Sequence, residues 1–426
     1  MMRTRSCRLS CFRYLGFAIF LSGCSYGDSV VDFELTLPDL PDGLGVAGPI
    51  AGRSGRMFVV AGGANFPHHP RWESDKVWYD RVMILDLQNP EAGWRTSPTT
   101  LKRPCGYGVS LSHATFGIVA VGGADSRTHF DEAFLLQVDP GTYELHSEAL
   151  AALPMTLAFA TGVLLGDQVC TNTHTQAHTH NTHTHIYFLS HSLTSQVLIF
   201  GGQETPDSTS ASARLFSLDL AAKPRMWTEL EALPAQGRIL SVAGTLGQEL
   251  FLFSGAALAA GPEGKPRRIY LRDAWLYTVS SGWRRCADLP RSAVAAPSPA
   301  IPAEHGSLML IGGSDGSLDA KADELRDEHP GFASDMLVYH PALDRWSTRG
   351  VFPRDPTNSM LPPVTAPVVH IFDTGTSLDG THLLVSGEIR PRVRSPRIVV
   401  VKVQQSHPRT SIAVDRHTGQ LDLGHQ

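Results

Sequence analysis

The chain has 426 residues, which is enough for two or three ordinary domains or for one large repeat domain. Charged residues make up only 18%, whereas glycine (39) and proline (29) are plentiful, a composition typical of short strands joined by many turns. With 36 basic and 41 acidic side chains the formal net charge is −5, so electrostatics gives no reason to expect a nucleic-acid partner.

The N-terminus has the pattern of an export signal. Four arginines in the first 13 residues precede an apolar run over 15–21, which is too short to span a bilayer as a helix. The run ends in Leu-Ser-Gly-Cys at 21–24, which resembles the lipobox of bacterial lipoproteins. We predict that 1–24 is a lipoprotein signal peptide and that Cys24 is lipidated, an ordinary signal peptide being the alternative. Ser25 then favours the periplasmic face of the outer membrane, with the lipid anchor as the only membrane contact.

Three further cysteines, Cys105, Cys170 and Cys286, are widely spaced and odd in number. They form neither a disulfide framework nor a zinc pattern. A pair could still bridge in an oxidising compartment, but we expect mostly buried free thiols.

Internal repeats determine the predicted architecture. Apolar strands that end in Gly-Gly recur at 59–63, 119–123, 198–202 and 310–313. A typical unit continues with a strand ending near Asp or Tyr and then a Trp strand; the tryptophans are at 94, 227, 283 and 346, and Leu-Pro or Phe-Pro ends units two to five. In the second unit Tyr143 takes the place of tryptophan. The glycine pair becomes Ser254-Gly255 in the fourth unit and Ser386-Gly387 in the sixth.

The sixth unit has no tryptophan strand after it, and a spare strand with a terminal Leu-Pro lies at 32–41. Pairing this strand with the sixth unit would close a ring and leave no open sheet edge. We therefore predict an all-β protein, a six-bladed kelch-type β-propeller over 25–403 closed by the N-terminal strand. The alternative is an irregular all-β sandwich.

Residues 170–196 interrupt the third unit with alternating histidine and threonine. Such imidazoles could bind zinc, copper or nickel. However, five histidines in an unstructured loop do not make a preorganised site, and a CA dinucleotide repeat would encode the same pattern. We predict no metal and no cofactor, and a disordered tail over 404–426.

The loop over 388–396 follows the second strand of the sixth unit. It holds one carboxylate, Glu388, and three guanidinium groups, on Arg390, Arg392 and Arg394. Arginine suits bidentate recognition of a carboxylate, and glutamate can act as a general base. The loop thus offers a clamp for an acidic ligand with a base beside it, or else a surface loop of salt bridges of little energetic weight.

Several segments together resemble the cyclically permuted mutarotase family, whose members are similar to bacterial N-acetylneuraminate epimerases. These segments are 59–67, 76–80, 107–110, 329–332 and 386–396. The resemblance implies that Glu388 is the proton acceptor and Arg394 its active-site partner. It also implies that the reaction interconverts the α and β anomers of sialic acid or a related acidic sugar, with no cofactor.

Four other residues are predicted to bind substrate: Arg390, Asn65, Tyr107 and Arg238. Asn65 could instead stabilise a turn, and Tyr107 could pack in a strand. The rival functional class is a non-enzymatic kelch propeller that binds a cell-surface glycan or protein, since fold alone does not determine function. The sequence leaves the oligomeric state open.

Overall fold

The computed structural model describes residues 31–34, 36–165, 195–354 and 361–403. The predicted signal peptide with Cys24, nearly all of the His/Thr-rich insertion and the predicted tail lie outside these residues. No helix in the described part is long and apolar enough to cross a membrane.

Six antiparallel sheets of four strands follow one another along the chain, and we number them as blades 1 to 6. Blade 1 contains Ile50–Ser54, Met57–Ala61, Val82–Asp86 and Arg95–Thr96; blade 2 contains Val109–His113, Gly117–Val121, Ala133–Val138 and Leu145–Ala149. Blade 3 contains Thr161–Leu165, Gln196–Phe200, Leu215–Asp219 and Thr228–Leu230; blade 4 contains Val242–Leu246, Glu249–Phe253, Ala274–Thr278 and Gly282–Cys286. Blade 5 contains Ile301–Ala303, Ser307–Ile311, Asp335–His340 and Arg345–Val351; blade 6 contains Val368–His370, His382–Val385, Ile398–Val403 and, from the other end of the chain, Val31–Glu34.

Three two-stranded hairpins and a few short helical turns extend from the blades. The hairpins pair Ala64–Asn65 with Val77–Trp78, Ala256–Ala260 with Pro266–Tyr270, and Glu388–Arg390 with Val393–Arg394. The described α-helix is the single turn Ala322–Leu325, and the described 3-10 turns are Pro41–Gly43, Pro90–Ala92, Pro262–Gly264, Glu304–Gly306, Asp319–Lys321, Arg326–Glu328 and Pro341–Leu343.

The N-terminal strand completes the last blade. Val31 pairs with Val403 and Glu34 with Val400, in antiparallel register. The Lys402 ammonium holds the Glu34 carboxylate at 2.8 Å across this pair. The prediction of a six-bladed propeller closed by the N-terminal strand is confirmed.

A closed ring of backbone hydrogen bonds surrounds the channel where the first strands begin. Each of six residues, one per blade, donates its N–H to the carbonyl of its counterpart in the preceding blade, over 2.7 to 2.9 Å. All six have φ between 53° and 59°, the left-handed region that non-glycine residues rarely adopt. We call them the hub ring; they are Gly48, Tyr107, Phe159, Leu240, Ala295 and Thr365.

The two broken glycine pairs keep the backbone of the intact ones. Ser254 and Ser386 have φ of 54° and 56°, close to the first glycine of each intact pair. Their hydroxyls tie neighbouring segments together: Ser386 accepts from the Val46 N–H at 2.8 Å, and Ser254 accepts from the Ala293 N–H at 2.8 Å. Serine at these positions therefore has a structural role. This role does not explain the charged residue Glu388 that follows the Ser386-Gly387 pair.

The apolar cores lie between adjacent blades, and the fourth strand of a blade supplies a large aromatic to most of them. Trp283 pairs with Tyr277 and Trp346 with Tyr339. In blade 2 the residue in the matching register, opposite Leu136, is Ser147. Tyr143 lies in the turn before that strand, so its predicted equivalence to tryptophan is wrong.

The thiols of Cys105 and Cys286 are free and buried. Burial raises the pKa of Cys105 to about 12, so its thiol is protonated at neutral pH. The expectation of buried free thiols holds for these two; Cys170 lies outside the described residues.

Candidate functional site

One position recurs six times around the hub, directly after each glycine or Ser-Gly pair. In every blade it forms an isolated antiparallel bridge to the residue that precedes the hub-ring residue. The six occupants are Ala64, Ala124, Gln203, Ala256, Ser314 and Glu388. Glu388 is the carboxylate among them, and its bridge partner is Val364, next to Thr365 of the hub ring. The backbone of Glu388 therefore lies at the hub and not on the outer rim.

The hairpin of blade 6 holds Glu388 against Arg394. The two residues are paired in its register, and Arg394 Nη1 lies 3.2 Å from Glu388 Oε1. The same oxygen accepts the N–H of Arg392 at 2.9 Å, where the chain turns with φ of 63°. The Arg394 side chain is 3% exposed, whereas that of Glu388 is 20% exposed. The carboxylate can thus be reached from outside while the guanidinium beneath it is almost fully enclosed.

The guanidinium of Arg394 is a fixed positive charge with spare hydrogen-bonding capacity. Burial alone would lower its pKa, but the neighbouring Glu388 and Tyr107 more than offset this and place the pKa above the ordinary value. Its Nε, like that of Arg390, is buried and has no hydrogen-bond partner among the described residues. A buried charged donor without a partner is costly, so these two atoms point to a ligand oxygen.

Tyr107 links the Glu388–Arg394 pair to the hub ring. Its hydroxyl lies close to the Arg394 guanidinium and contributes to holding the pKa of that group above its ordinary value. Its ring packs at 4.8 Å from that of Phe159 and at 5.4 Å, edge to face, from that of Trp78. The Lys76 ammonium lies 4.5 Å from the Tyr107 ring centroid. A cluster of aromatic rings, with the Lys76 ammonium over one of them, therefore lies beside the buried Arg394.

Segments from blades 1 and 5 meet the blade 6 hairpin. Arg392 stacks on Phe66 and Trp72, with its guanidinium carbon 4.8 and 5.1 Å from the two ring centroids. The Trp72 indole N–H in turn reaches Asp327 Oδ1 at 3.3 Å. The buried His329 lies on the same blade 5 segment, and burial followed by the Arg390 charge lowers its pKa. The imidazole is therefore neutral at pH 7.

A cavity of about 720 Å³ opens beside this assembly. Its lining includes Lys76, Trp78 and Phe159, together with His129 and Arg268 from blades 2 and 4. Glu388 and Arg394 do not line it; they adjoin it through Tyr107, which contacts both Trp78 and Phe159. The lining also holds two carboxylates, Asp75 and Asp125, so its two cations are balanced by two acids and its aromatic faces are the part suited to a sugar ring.

Asn65 is buried, and both ends of its amide bond to the backbone of its own blade 1 segments. Its Nδ2 donates to the Gly45 carbonyl at 2.6 Å, and its Oδ1 accepts the Phe66 N–H at 2.6 Å. This is the turn-stabilising role that the sequence left open. Asn65 positions the segment that carries Phe66.

Arg238 has a different environment from Arg394. It is fully buried, and its five N–H donors are all used, two of them on the Asp273 carboxylate at 2.7 and 2.8 Å. The remaining three go to the carbonyls of Ser254 and Gln236. No donor is left for a substrate, so the geometry gives Arg238 a structural role and we leave it out of the site.

Lys76, Trp78 and Phe159 were not among the predicted site residues. Lys76 and Trp78 lie in one of the segments that carry the family resemblance, which was the available signal. Phe159 had none, because its position depends on the hub ring. Within the described residues no group of three or more His, Cys, Asp or Glu is placed to hold a metal ion.

Comparison with known proteins supports the fold. The solved structure of YjhT matches with a TM-score of 0.56 at 12% sequence identity, covering 87% of this chain and 99% of that one. No family model and no curated protein matches the chain. Fold and site together define a six-bladed kelch-type propeller in which a buried arginine contacts a partly exposed glutamate at the hub.

Proposed function

We propose that the protein is a mutarotase that interconverts the α and β anomers of an acidic sugar, with sialic acid as the expected substrate. The observation that carries the proposal is the contact between the partly exposed Glu388 and the buried Arg394, whose Nε has no partner, next to the hub. The motif resemblance to cyclically permuted mutarotases supplies the reaction class.

In the proposed mechanism Glu388 removes the proton of the anomeric hydroxyl. The bond between the anomeric carbon and the ring oxygen then breaks, the anomeric carbon becomes a carbonyl, and the ring oxygen takes up a proton. Rotation about the adjacent carbon–carbon bond and the reverse steps close the ring on the other face. Protonated Glu388 returns its proton at the end, so the reaction needs no net proton.

Tyr107 would supply the proton for the ring oxygen. Its hydroxyl lies close to the Arg394 guanidinium and can donate to a ligand. Base and acid would thus both lie beside one buried cation.

The acid group of the sugar would bind at the arginines. Arg394 and Arg390 each have a buried Nε with no partner among the described residues, and a carboxylate oxygen would satisfy either one. A neutral sugar could offer these donors only hydroxyl or ether oxygens, which form weaker hydrogen bonds than an ionised carboxylate does. We therefore expect the site to prefer acidic sugars over neutral ones, because a buried polar site discriminates against ligands that match its donors less well.

The test is an anomer-relaxation measurement. One pure anomer of N-acetylneuraminate is dissolved and its equilibration is followed by NMR with and without protein. Glu388→Gln should slow the catalysed rate by about 10²- to 10⁴-fold, as loss of a general base does. Glu229→Gln, in an exposed ion pair with Arg214 on blade 3, is the matched control and should leave the rate unchanged. Equilibration at the buffer rate with wild-type protein would refute the proposal.

The cavity lined by Trp78 and Phe159 also favours a second candidate, a propeller that binds an acidic glycan without chemistry. Titration with N-acetylneuraminate separates the two. Saturable binding that weakens in Arg394→Ala, combined with equilibration at the buffer rate, would support the binding module.

We also propose that Cys24 anchors the protein in the cell envelope, at the periplasmic face of the outer membrane. Cys24→Ser should move the protein from the membrane fraction to the soluble fraction of cells. A wild-type protein that is soluble would contradict this location.

A further inference from the structure

The six blade interfaces are not equivalent in their aromatic residues. At the position defined by the register of the fourth strand, five blades carry an aromatic and blade 2 carries Ser147. The occupants from blade 1 to blade 6 are Trp94, Ser147, Trp227, Trp283, Trp346 and Phe33. The interface between blades 1 and 2 therefore has no aromatic side chain at this register position, although Tyr143 from the preceding turn packs against its core.

Each of the four tryptophans also makes the same hydrogen bond. The indole N–H donates at 2.8 to 2.9 Å to a backbone carbonyl of the preceding blade. In each case this carbonyl belongs to the residue two positions before a leucine that follows the fourth strand of that blade, which we call the anchoring leucine. The accepting carbonyls are those of Pro38, Ala151, Glu231 and Ala287. In blade 1 the anchoring leucine is Leu101, whose N–H bonds to Asp80, so the equivalent carbonyl belongs to Thr99.

A cavity of about 260 Å³ lies at the interface of blades 1 and 2. It is lined by Ser147 and by apolar side chains from both blades, among them Leu101, Phe134, Leu136 and Leu145. An engineered apolar cavity of about 150 Å³ is enough to bind benzene in another protein, so this one has room for a larger ring.

Charged groups surround the opening of this cavity. Lys102, whose side chain is 76% exposed, and Arg103 both line it, and Glu132 accepts an ion pair from each. Arg103 also lies over the Phe130 ring at 4.7 Å, which fixes one wall. Two cations against one carboxylate leave the opening with a net positive charge.

We propose that this cavity is a binding site for a planar aromatic molecule of about indole size that carries an anionic substituent. The ring would occupy the space that a tryptophan side chain fills in four other blades. A ring N–H would donate to the Thr99 carbonyl, and the anionic group would lie beside Lys102 at the opening. The site is separate from the Glu388–Arg394 pair and does not depend on the proposed sugar chemistry.

The proposal is tested with indole-3-acetate as the probe, using calorimetry and the shift of the thermal unfolding midpoint of the whole protein. Wild type should bind it saturably and be stabilised by it, since a ligand of the folded state raises the midpoint. Indole should bind more weakly, and tryptamine, which carries the opposite charge, more weakly still.

Ser147→Trp should fill the cavity from within, raise the unfolding midpoint without ligand, and weaken probe binding by at least about tenfold. Ser147→Phe is the second filling variant if the indole proves too large. Ser280→Trp, on an exposed turn of blade 4, controls for an added tryptophan and should bind as wild type does. Absence of saturable binding to wild type, or equal binding by a folded filled variant, would overturn the proposal.

Discussion

Replacing Arg238 by methionine should destabilise the propeller severely without affecting the proposed sugar reaction. Methionine retains the apolar stem but removes both bonds to Asp273 and three bonds to carbonyls. The Asp273 side chain is only 16% exposed and would keep the indole N–H of Trp275 at 2.7 Å. Hydrogen bonds to a charged group contribute about 1.5 to 3 kcal/mol each, and breaking a buried pair costs about 3 to 5 kcal/mol. We expect a loss of about 3 to 5 kcal/mol in the free energy of unfolding.

The loss should depend on pH in a defined direction. In the wild type, burial raises the pKa of Asp273 but its bonds to Arg238 more than offset this, and the pKa stands below 3.8. This carboxylate therefore stabilises the fold above its unfolded pKa, and that stabilisation is lost as pH falls through the folded value. In the variant burial dominates and the pKa rises, so the penalty is full at pH 7 and shrinks toward pH 4.

Denaturant unfolding followed by tryptophan fluorescence at the two pH values measures both effects. Asp273→Asn in the Arg238→Met background should restore part of the stability at pH 7, because it removes the uncompensated charge. A loss below about 1 kcal/mol at pH 7, or one that is equal at both pH values, would refute the reasoning. A folded Arg238→Met protein with a raised KM for the sugar would return Arg238 to the substrate site.

Three further predictions follow from the backbone and from buried titratable groups. Gly48→Ala places a Cβ 2.6 Å from the Tyr107 ring and should lower both the stability and the rate of the proposed anomerisation. Gly247→Ala, at a similar φ but with open space around it, is the control and should cost only about 1 to 2 kcal/mol of stability. Equal effects of the two variants on the rate would contradict this prediction. Burial lowers the pKa of His382 to about 3, so the free energy of unfolding should fall as the pH drops from 6.5 toward 3. His382→Gln should make this fall smaller, as measured by unfolding curves at several pH values. The buried Cys105, with a pKa of about 12, should resist alkylation at pH 8 in the native protein and react after unfolding, as peptide mass mapping would show.

The sequence was a good guide to the blades because their signals are local. A glycine pair marks a corner that a Cβ would obstruct: at Gly62 it would come 2.2 Å from the Cys105 carbonyl. The presence of an aromatic residue in the expected order predicted its position in the fourth strand less reliably. Tyr143 was matched to tryptophan by type and order, but strand register assigns that position to Ser147, and register depends on the hairpin turn.

The hub ring could not be predicted from residue types. Its members are a glycine, a tyrosine, a phenylalanine, a leucine, an alanine and a threonine, joined into a ring by backbone hydrogen bonds. The two arginines show the same limit for side chains. Arg238 lies in the segment before the hub ring and Arg394 in the blade 6 hairpin, and only Arg238 has an aspartate, Asp273, that uses its donors. Such partners lie far away in the chain, so composition could not separate the structural arginine from the candidate site residue.

The closure of blade 6 has a consequence for how the protein is made. Its outer strand, Val31–Glu34, is synthesised long before its partner, Ile398–Val403. The first strand therefore stays unpaired until the last blade has been translated. Glu388 and Arg394 belong to the hairpin of that same blade, so their contact also forms late in synthesis. A chain that stops before Ile398 cannot close the ring.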